Sequence, residues 1–300
     1  MTATLFPGFE PRRIATSGTE INLIVGGSGP PLLLLHGYPQ THAIWHKIAA
    51  RLTPHFTVVC ADLRGYGDSG KPASEPDHRT YSKRAMAQDQ IEVMQALGFE
   101  RFSLVGHDRG GRVAHRMARD HVERIERLAV LDISPTAIMY ARTDKAFATA
   151  YYHWFFLIQP CDLPERLIGA DPAYYLRKML GGFGSSGVAT FDARAYAEYE
   201  RCFRDPATIH ATCEDYRAAA TIDLEHDRAD LGNRKIRCSV HALWARDGVI
   251  DRLFDPIRDF SQWCLEPVTG TALPGGHYLA EEVPDLVLRE VVAFFERCRH

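Results

Sequence analysis

The sequence has little that would direct the protein to a nucleic acid or to a membrane. Its 35 lysines and arginines are offset by 38 aspartates and glutamates, so the formal net charge is -3 and no basic surplus is present. No apolar run approaches the roughly 18 residues that a transmembrane helix requires. The first residues lack both a basic start and a sustained apolar stretch, so we predict no secretory signal and expect a cytoplasmic protein.

The sequence also lacks the cysteine spacing of a disulfide framework or a zinc site. The seven cysteines are odd in number and scattered, and no two are spaced as C-x-x-C. They are Cys60, Cys161, Cys202, Cys213, Cys238, Cys264 and Cys298. We therefore expect incidental thiols in a reducing compartment, with no structural disulfide and no metal. The hydrophobic fraction of 46% and the charged fraction of 24% are those of an ordinary globular protein.

Short apolar runs alternate with helical patterns along most of the chain. A hairpin is predicted over residues 13–25. Strand-like runs follow at residues 32–35, 56–60, 102–105, 128–131 and 240–244. Helices are predicted at residues 81–97, 112–120 and 285–297. This alternation predicts an α/β protein with a doubly wound, mostly parallel sheet.

An aspartate stands at the turn after the third of these runs. The segment Gly106-His107-Asp108-Arg109-Gly110 has the G-x-S-x-G spacing of an α/β-hydrolase nucleophile elbow, with Asp108 in the place of serine. The simpler interpretation is an aspartate that caps an ordinary helix. A carboxylate that attacks saturated carbon forms an ester, which water can cleave, whereas a serine would form a stable ether. The aspartate therefore predicts attack on a carbon–halogen bond or an epoxide.

A histidine late in the chain is the candidate base for the second step. His277 precedes the last predicted helix, where the order of nucleophile, acid and histidine in this fold places the base. Two acids could orient it, because Asp132 follows the run at 128–131 and Asp247 follows the run at 240–244. The pattern of the residues does not choose between them. The alternative for His277 is a solvent-facing loop histidine.

The segment His36-Gly37-Tyr38-Pro39 after the first run is a candidate oxyanion hole. In this fold the backbone N–H of Tyr38 would pair with that of Arg109, the residue after the nucleophile. Each such donor typically stabilises an oxyanion by about 3 kcal/mol. A plain turn at the end of a strand is the other interpretation.

The alternation of strands and helices stops between residues 134 and 221. This stretch is rich in aromatic residues, and Asp171, Asp192 and Asp205 each stand where an aspartate would cap a new helix. We predict a helical cap at residues 135–221, inserted into an α/β-hydrolase core made of residues 1–134 and 222–300. The alternative is a separate C-terminal domain, against which the run at 240–244 and the late His277 argue.

Two arginines follow the aspartate of the elbow. Arg109 and Arg112 are three residues apart at the start of a helix and therefore share a face. A guanidinium group binds a carboxylate through paired hydrogen bonds. We therefore predict a small acid substrate whose leaving group is alpha to its carboxylate. Arg112 and Arg116 could instead be solvated helix charges.

On these residues the sequence resembles the fluoroacetate/haloacetate dehalogenases over nearly its whole length. The matching segments are His36-Gly37-Tyr38-Pro39-Gln40-Thr41, Ala61-Asp62-Leu63-Arg64-Gly65-Tyr66-Gly67, the elbow through Arg112, Leu131-Asp132-Ile133, His153-Trp154 and Cys213-Glu214-Asp215-Tyr216-Arg217-Ala218. The resemblance implies that Asp108 is the nucleophile, His277 the base and Asp132 its partner, and that Arg109 and Arg112 bind the substrate carboxylate. It also implies a homodimer and a reaction that needs no metal or organic cofactor.

In the cap, the resemblance implies that His153, Trp154 and Tyr216 donate hydrogen bonds to the departing halide. Fluoride is small and strongly hydrated, so donors in a dry pocket must replace its water. Without the resemblance, these three side chains would be taken for the apolar core of the cap.

Two other functions compete with hydrolytic dehalogenation of haloacetates. An epoxide hydrolase would use the same aspartate, with Tyr216 and either Tyr151 or Tyr152 as proton donors, although most epoxides lack the charge that the arginines would bind. A receptor of the hydrolase fold without catalytic activity would not need a nucleophile, an acid and a base together.

Overall fold

The computed structural model describes residues 5–182 and 185–296. The strands are β1 (Glu10–Ala15), β2 (Glu20–Gly26), β3 (Pro31–Leu35), β4 (Thr57–Ala61), β5 (Phe102–His107), β6 (Ile125–Leu131), β7 (Ser239–Ala245) and β8 (Thr269–Leu273). The helices of the first part are α1 (Ala49–Leu52), α2 (Lys83–Ala96) and α3 (Asp108–Asp120), with short 3-10 helices at His42–Trp45 and Arg79–Tyr81. Cys298 and the predicted end of the last helix at residue 297 lie outside the described residues.

Between β6 and β7 the described residues form eight α-helices and a short 3-10 helix at Val188–Thr190. They are α4 (Thr136–Ala141), α5 (Lys145–Ala150), α6 (Tyr152–Phe156), α7 (Leu163–Ala170), α8 (Pro172–Leu180), α9 (Ala193–Phe203), α10 (Pro206–Ala220) and α11 (Ile222–Asp230). The last part contains α12 (Val249–Leu253), α13 (Pro256–Ser261), α14 (Leu279–Glu282) and α15 (Pro284–Glu296). In the part of the chain that the structure describes, no helix combines the length and the apolar character that crossing a bilayer requires.

The eight strands of the described residues belong to one sheet, in the order β1-β2-β4-β3-β5-β6-β7-β8. The pairs β1–β2 and β2–β4 are antiparallel, and every other neighbouring pair is parallel. Successive residues of β3 bury their side chains on opposite faces, since Leu33 belongs to one apolar cluster and Leu34 to the other. A central strand that is buried on both faces gives a continuous apolar run, and the doubly wound parallel sheet predicted from such runs is confirmed.

One strand was missed. The residues of β8 are Thr-Gly-Thr-Ala-Leu, and only Leu273 among them is buried. An edge strand pairs on one side only and does not need an apolar run, so nothing in this segment resembles the buried strands.

The three aspartate caps predicted in the helical stretch are confirmed. The side chain of Asp171 accepts a hydrogen bond from the backbone N–H of Tyr174, and Asp192 and Asp205 cap α9 and α10 in the same way. Among the described residues between β6 and β7, all regular structure is helical. The helices run on through α11 to Asp230, so the division of the chain at residues 135–221 stays a prediction.

Candidate active site

The turn between β5 and α3 presents Asp108. Its φ of +43° lies in the left-handed region, which a residue at a sharp strand-to-helix turn must adopt. The turn is packed too closely for side chains on either flank. A Cβ added at Gly106 would lie 2.6 Å from the carbonyl oxygen of Gly110, and one added at Gly110 would lie 2.4 Å from that of His36. The glycine spacing of the elbow therefore follows from the close approach of three backbone segments.

The loop after β3 holds one oxygen of the Asp108 carboxylate. The backbone N–H of Tyr38 donates to Oδ2 of Asp108 at 3.0 Å. A Cβ at Gly37 would lie only 2.6 Å from Cβ of Asp108, so glycine is required where the loop passes the carboxylate. The N–H group proposed from the sequence as an oxyanion donor thus already points at a carboxylate oxygen.

His277 lies beside Asp132. Its Nδ1 is 2.6 Å from Oδ2 of Asp132, and the other oxygen of that carboxylate accepts from the backbone N–H of Ala245 at 2.9 Å. With Nδ1–H donating to Asp132, Nε2 is the ring atom that can accept a proton. Asp247 is exposed, and its backbone N–H donates to Oδ2 of Asp251. Of the two acids left open by the sequence, the structure brings Asp132 to the histidine.

The charges of the site determine its protonation. Burial alone would raise the pKa of Asp108, but the positive charges of His277, Arg112 and Arg109 outweigh it and lower the pKa to about 2. Burial alone would lower the pKa of His277, but the hydrogen bond to Asp132 and its charge raise the pKa above the ordinary 6.5. Asp108 is therefore ionised at neutral pH.

Arg109 and Arg112, which follow Asp108 on α3, are both buried, and each donates hydrogen bonds to neighbouring residues. Arg109 donates from Nε and Nη2 to the two carboxylate oxygens of Asp215, at 2.8 and 2.7 Å. Arg112 donates from Nη1 to the carbonyl oxygen of Ser134 and to Oγ1 of Thr136, both at 3.0 Å. These bonds fix the direction of each guanidinium plane.

One N–H direction of each arginine remains open. Within residues 5–182 and 185–296, Nη1 of Arg109 and Nε of Arg112 have no hydrogen-bond partner although both atoms are buried. Nε of Arg112 lies 4.0 Å from Oδ1 of Asp108. A buried donor without a partner is costly, so two of them beside an aspartate indicate a place for an acceptor that arrives with a ligand.

The three cap residues proposed as halide donors come together above the elbow. His153 and Trp154 lie on α6 and Tyr216 lies on α10, and their rings are 5.6 Å (His153–Tyr216) and 6.4 Å (Trp154–Tyr216) apart. The guanidinium carbon of Arg109 is 4.1 Å from the ring centre of Tyr216, and that of Arg112 is 4.6 Å from the ring of Trp154. Tyr216 and Trp154 therefore pack directly on the two arginines, and His153 packs on Tyr216.

The donor atoms of these cap residues are buried. Nε1 of Trp154 and the hydroxyl of Tyr216 have no hydrogen-bond partner among the described residues. Burial lowers the pKa of His153 to about 3, so its ring is neutral. Of the two other tyrosines named for an epoxide hydrolase, Tyr151 is buried with its ring 6.3 Å from that of His277, whereas Tyr152 is 46% exposed.

Sequence reasoning missed the residues that hold Arg109. In addition to its hydrogen bonds with Arg109, Asp215 accepts a hydrogen bond from the hydroxyl of Tyr66 at 2.6 Å. It also forms an ion pair with Lys83. Lys83 also lies 3.4 Å from Asp223. Asp215 and Tyr66 both lie in the segments that carry the family resemblance, but nothing in the sequence pairs either of them with residue 109.

The chain is similar over most of its length to known proteins. The family described as alpha/beta hydrolase fold matches residues 30–198. A fluoroacetate dehalogenase from Burkholderia sp is 48% identical over 295 residues, which cover 98% of this chain and 96% of that protein. A soluble epoxide hydrolase from Corynebacterium sp. (strain C12) is 32% identical over 290 residues, 94% of this chain and 96% of its own. A crystal structure from Nostoc sp PCC 7120, described as a candidate alpha/beta hydrolase, superposes with a TM-score of 0.94 at 57% identity and covers 97% of this chain and 99% of its own.

Proposed function

The chain belongs to the haloacetate dehalogenase family of the α/β-hydrolase fold, and on that premise we propose that it hydrolyses haloacetates to glycolate and halide through an ester on Asp108. The observation that carries the proposal is the pairing of a carboxylate nucleophile with two buried arginines. Nε of Arg112 lies 4.0 Å from the Asp108 carboxylate, and one donor direction of each arginine is open. A substrate that brings its own carboxylate supplies the missing acceptor.

The substrate carboxylate binds one N–H from Arg109 and one from Arg112. Charge-assisted hydrogen bonds of this kind are about twice as strong as neutral ones. They also offset the repulsion between the anionic substrate and Asp108. Because the carboxylate is fixed on the arginines, the adjacent carbon and its halogen lie over the nucleophile.

In the first step, Asp108 attacks the halogen-bearing carbon. Oδ2 is held by Tyr38, so Oδ1 is the attacking atom. The new C–O bond forms as the carbon–halogen bond breaks, and its electron pair leaves with the halide. Trp154 and Tyr216, together with His153, donate hydrogen bonds to the halide in place of its water.

In the second step, water cleaves the ester. His277 takes a proton from the water through Nε2, while Asp132 holds the ring and stabilises its positive charge. The water attacks the carboxylate carbon of Asp108, so negative charge develops on Oδ2, where the N–H of Tyr38 already points. Glycolate then leaves and Asp108 is regenerated.

The charges of the site favour this order of events. Asp108 is among the groups whose negative charge raises the pKa of His277. Formation of the ester removes that charge, so the pKa of His277 falls when the histidine must act as a neutral base.

Hydrolysis of neutral epoxides is the second candidate function. It is supported by the hydroxyl of Tyr216, the buried position of Tyr151 and the 32% identical epoxide hydrolase. A neutral epoxide, however, would leave the open N–H groups of Arg109 and Arg112 buried without an acceptor, a cost of about 1–3 kcal/mol for each group. We therefore favour haloacetates.

Halide release tests the proposal. Purified protein would be incubated with fluoroacetate, chloroacetate and a neutral epoxide, and free halide, glycolate and diol would be measured. Halide and glycolate are expected in equal amounts from at least one acid, and absence of both products from both acids would rule the proposal out. Repeated turnover in heavy-oxygen water, followed by mass spectrometry of the Asp108 peptide, tests the ester, because only attack by the carboxylate brings label into Asp108.

A further inference from the structure

The groups that would receive a haloacetate also suit an epoxide that carries a carboxylate. Resting on the proposed function, we propose that the same site hydrolyses oxirane-2-carboxylate to glycerate, with Tyr216 as the acid that protonates the ring oxygen. Halide leaves as a stable anion and needs only hydrogen bonds. A ring oxygen leaves as an alkoxide and needs a proton as well. The Tyr216 ring, which packs on Arg109, carries a buried hydroxyl that can supply one.

Tyr216 is positioned to serve a leaving group. It is fully buried on α10, and its hydroxyl has no hydrogen-bond partner among the described residues. Its ring packs edge-on against Tyr38 at 5.3 Å, and the backbone of Tyr38 holds the nucleophile. The guanidinium of Arg109 lies 4.1 Å from the ring centre of Tyr216 and favours the phenolate that proton transfer leaves. The indole N–H of Trp154 is a second donor to the same oxygen.

The arginines determine which epoxide fits. The open N–H groups of Arg109 and Arg112 require an anionic acceptor, which a simple epoxide lacks. In oxirane-2-carboxylate the carboxylate is attached to C2, a ring carbon, just as it is attached to the reacting carbon of a haloacetate. The ring oxygen then stands where the halogen would stand, and the substrate is one heavy atom larger than chloroacetate.

The reaction balances without any further reactant. Oδ1 of Asp108 attacks C2, the bond between C2 and the ring oxygen breaks, and the oxygen takes the proton of Tyr216. The water that cleaves the ester supplies two protons. His277 removes one, which returns to the Tyr216 phenolate, and the other passes to the oxygen on C2 as its bond to the carboxylate carbon of Asp108 breaks. The sum is oxirane-2-carboxylate plus water giving glycerate. The charge of Asp108 adds to burial in raising the pKa of Tyr216, and ester formation removes that charge.

The first experiment uses the unaltered protein. Single enantiomers of oxirane-2-carboxylate, the uncharged oxirane-2-carboxamide and chloroacetate would be supplied separately, with glycerate, its amide and chloride as readouts. We expect glycerate from at least one enantiomer, with inverted configuration at C2. The kcat/KM of the carboxamide should be at least ~100-fold lower, because the carboxamide gives the two arginines no anionic acceptor. Absence of glycerate while chloride is released would overturn this inference and leave the proposed function intact. Absence of both products would overturn both.

A second experiment tests the role of Tyr216. The Tyr216→Phe variant keeps the ring over Arg109 but lacks the hydroxyl. Loss of a general acid costs ~100-fold or more in kcat, whereas loss of one hydrogen bond to chloride costs ~10-fold, so the ratio of glycerate to chloride turnover should fall ~10-fold or more.

The matched control is Tyr199→Phe. Tyr199 is another buried cap tyrosine, but its hydroxyl donates to Glu281 at 2.5 Å. Its ratio of glycerate to chloride turnover should equal that of the unaltered protein. If Tyr216→Phe lowers both activities by the same factor, Tyr216 is not the acid and the inference is wrong. Because the readout is a ratio, partial loss of folded protein does not affect it.

Discussion

Both carboxylate oxygens of Asp215 accept hydrogen bonds from Arg109, and neither side chain has measurable exposure to solvent. The two residues come from different parts of the chain, since Arg109 follows Asp108 in the first turn of α3 and Asp215 lies on α10, in the helical stretch between β6 and β7. The pair therefore joins that stretch to α3, the helix that follows β5. It also leaves Nη1 of Arg109, with its two N–H groups, without a hydrogen-bond partner among the described residues.

Replacing Asp215 by asparagine should weaken substrate binding more than it slows chemistry. An amide has a single acceptor oxygen and no charge, so Arg109 loses the paired hydrogen bonds that fix the plane of its guanidinium group. We expect KM for chloroacetate to rise ~10-fold with a smaller change in kcat, the pattern of lost uniform binding. Loss of the buried partner should also lower the free energy of unfolding by about 3 kcal/mol. Steady-state kinetics and urea unfolding measure the two effects.

Asp89→Asn is the matched control for this variant. Asp89 forms the same kind of buried two-oxygen pair with Arg64, with distances of 2.8 and 2.7 Å, but on α2. It should destabilise the fold and leave KM unchanged. An equal rise of KM in both variants would mean that Asp215 acts through stability alone.

Much of the fold could be predicted because it depends on local pattern. Every apolar run of the sequence became a strand, and aspartates at 171, 192 and 205 begin helices as expected. The pattern of apolar runs did not predict β8, because a partly exposed edge strand needs no apolar run. The expected homodimer and cytoplasmic location stay predictions, because neither leaves a pattern in a single chain.

The candidate site could be predicted only as far as spacing carries information. The glycines of the elbow identify Asp108 as the residue at the turn, because the packing leaves no room for a Cβ at Gly106 or Gly110. Asp132 and Asp247 both follow a strand and both have positive φ, so the two are distinguished by burial and by the contact with His277, which the sequence does not show. Asp215 was missed because its meaning depends on a contact 106 residues away along the chain.

Replacing His277 by glutamine should stop the second step and leave the first. Asp108 would still attack chloroacetate, but no base would activate water to cleave the ester. Intact-protein mass spectrometry should then find one added carboxymethyl group per chain, on the peptide that contains Asp108. Asp108→Asn is the control and should gain no mass. An unmodified His277→Gln protein that releases chloride would contradict the two-step route.

The two steps should respond differently to pH. His277 must be neutral to act as a base in the ester intermediate, where Asp132 still raises its pKa but the charge of Asp108 no longer does. Steady-state turnover should therefore fall as the pH drops through the pKa of His277 in that intermediate. Alkylation needs only ionised Asp108, whose pKa is about 2. At about pH 5, rapid mixing should therefore show a burst of one chloride per active site followed by slow release.

Asp132→Asn removes the group that raises the pKa of His277, so the acid limb of its residual turnover should move to lower pH. A burst that disappears together with turnover would contradict this assignment.

Replacing Trp154 by phenylalanine should discriminate between leaving groups. The ring would still cover Arg112, but the indole N–H, a buried donor without a partner among the described residues, would be gone. Fluoride depends more on hydrogen bonds than chloride does, so we expect kcat to fall ~100-fold with fluoroacetate and ~10-fold or less with chloroacetate.

The control is Trp45→Phe, which removes another fully buried indole, in the other apolar cluster of the core. It should reduce both activities by one common factor, if at all. Equal losses with both acids in Trp154→Phe would show that the indole packs against the site without assisting the departure of halide.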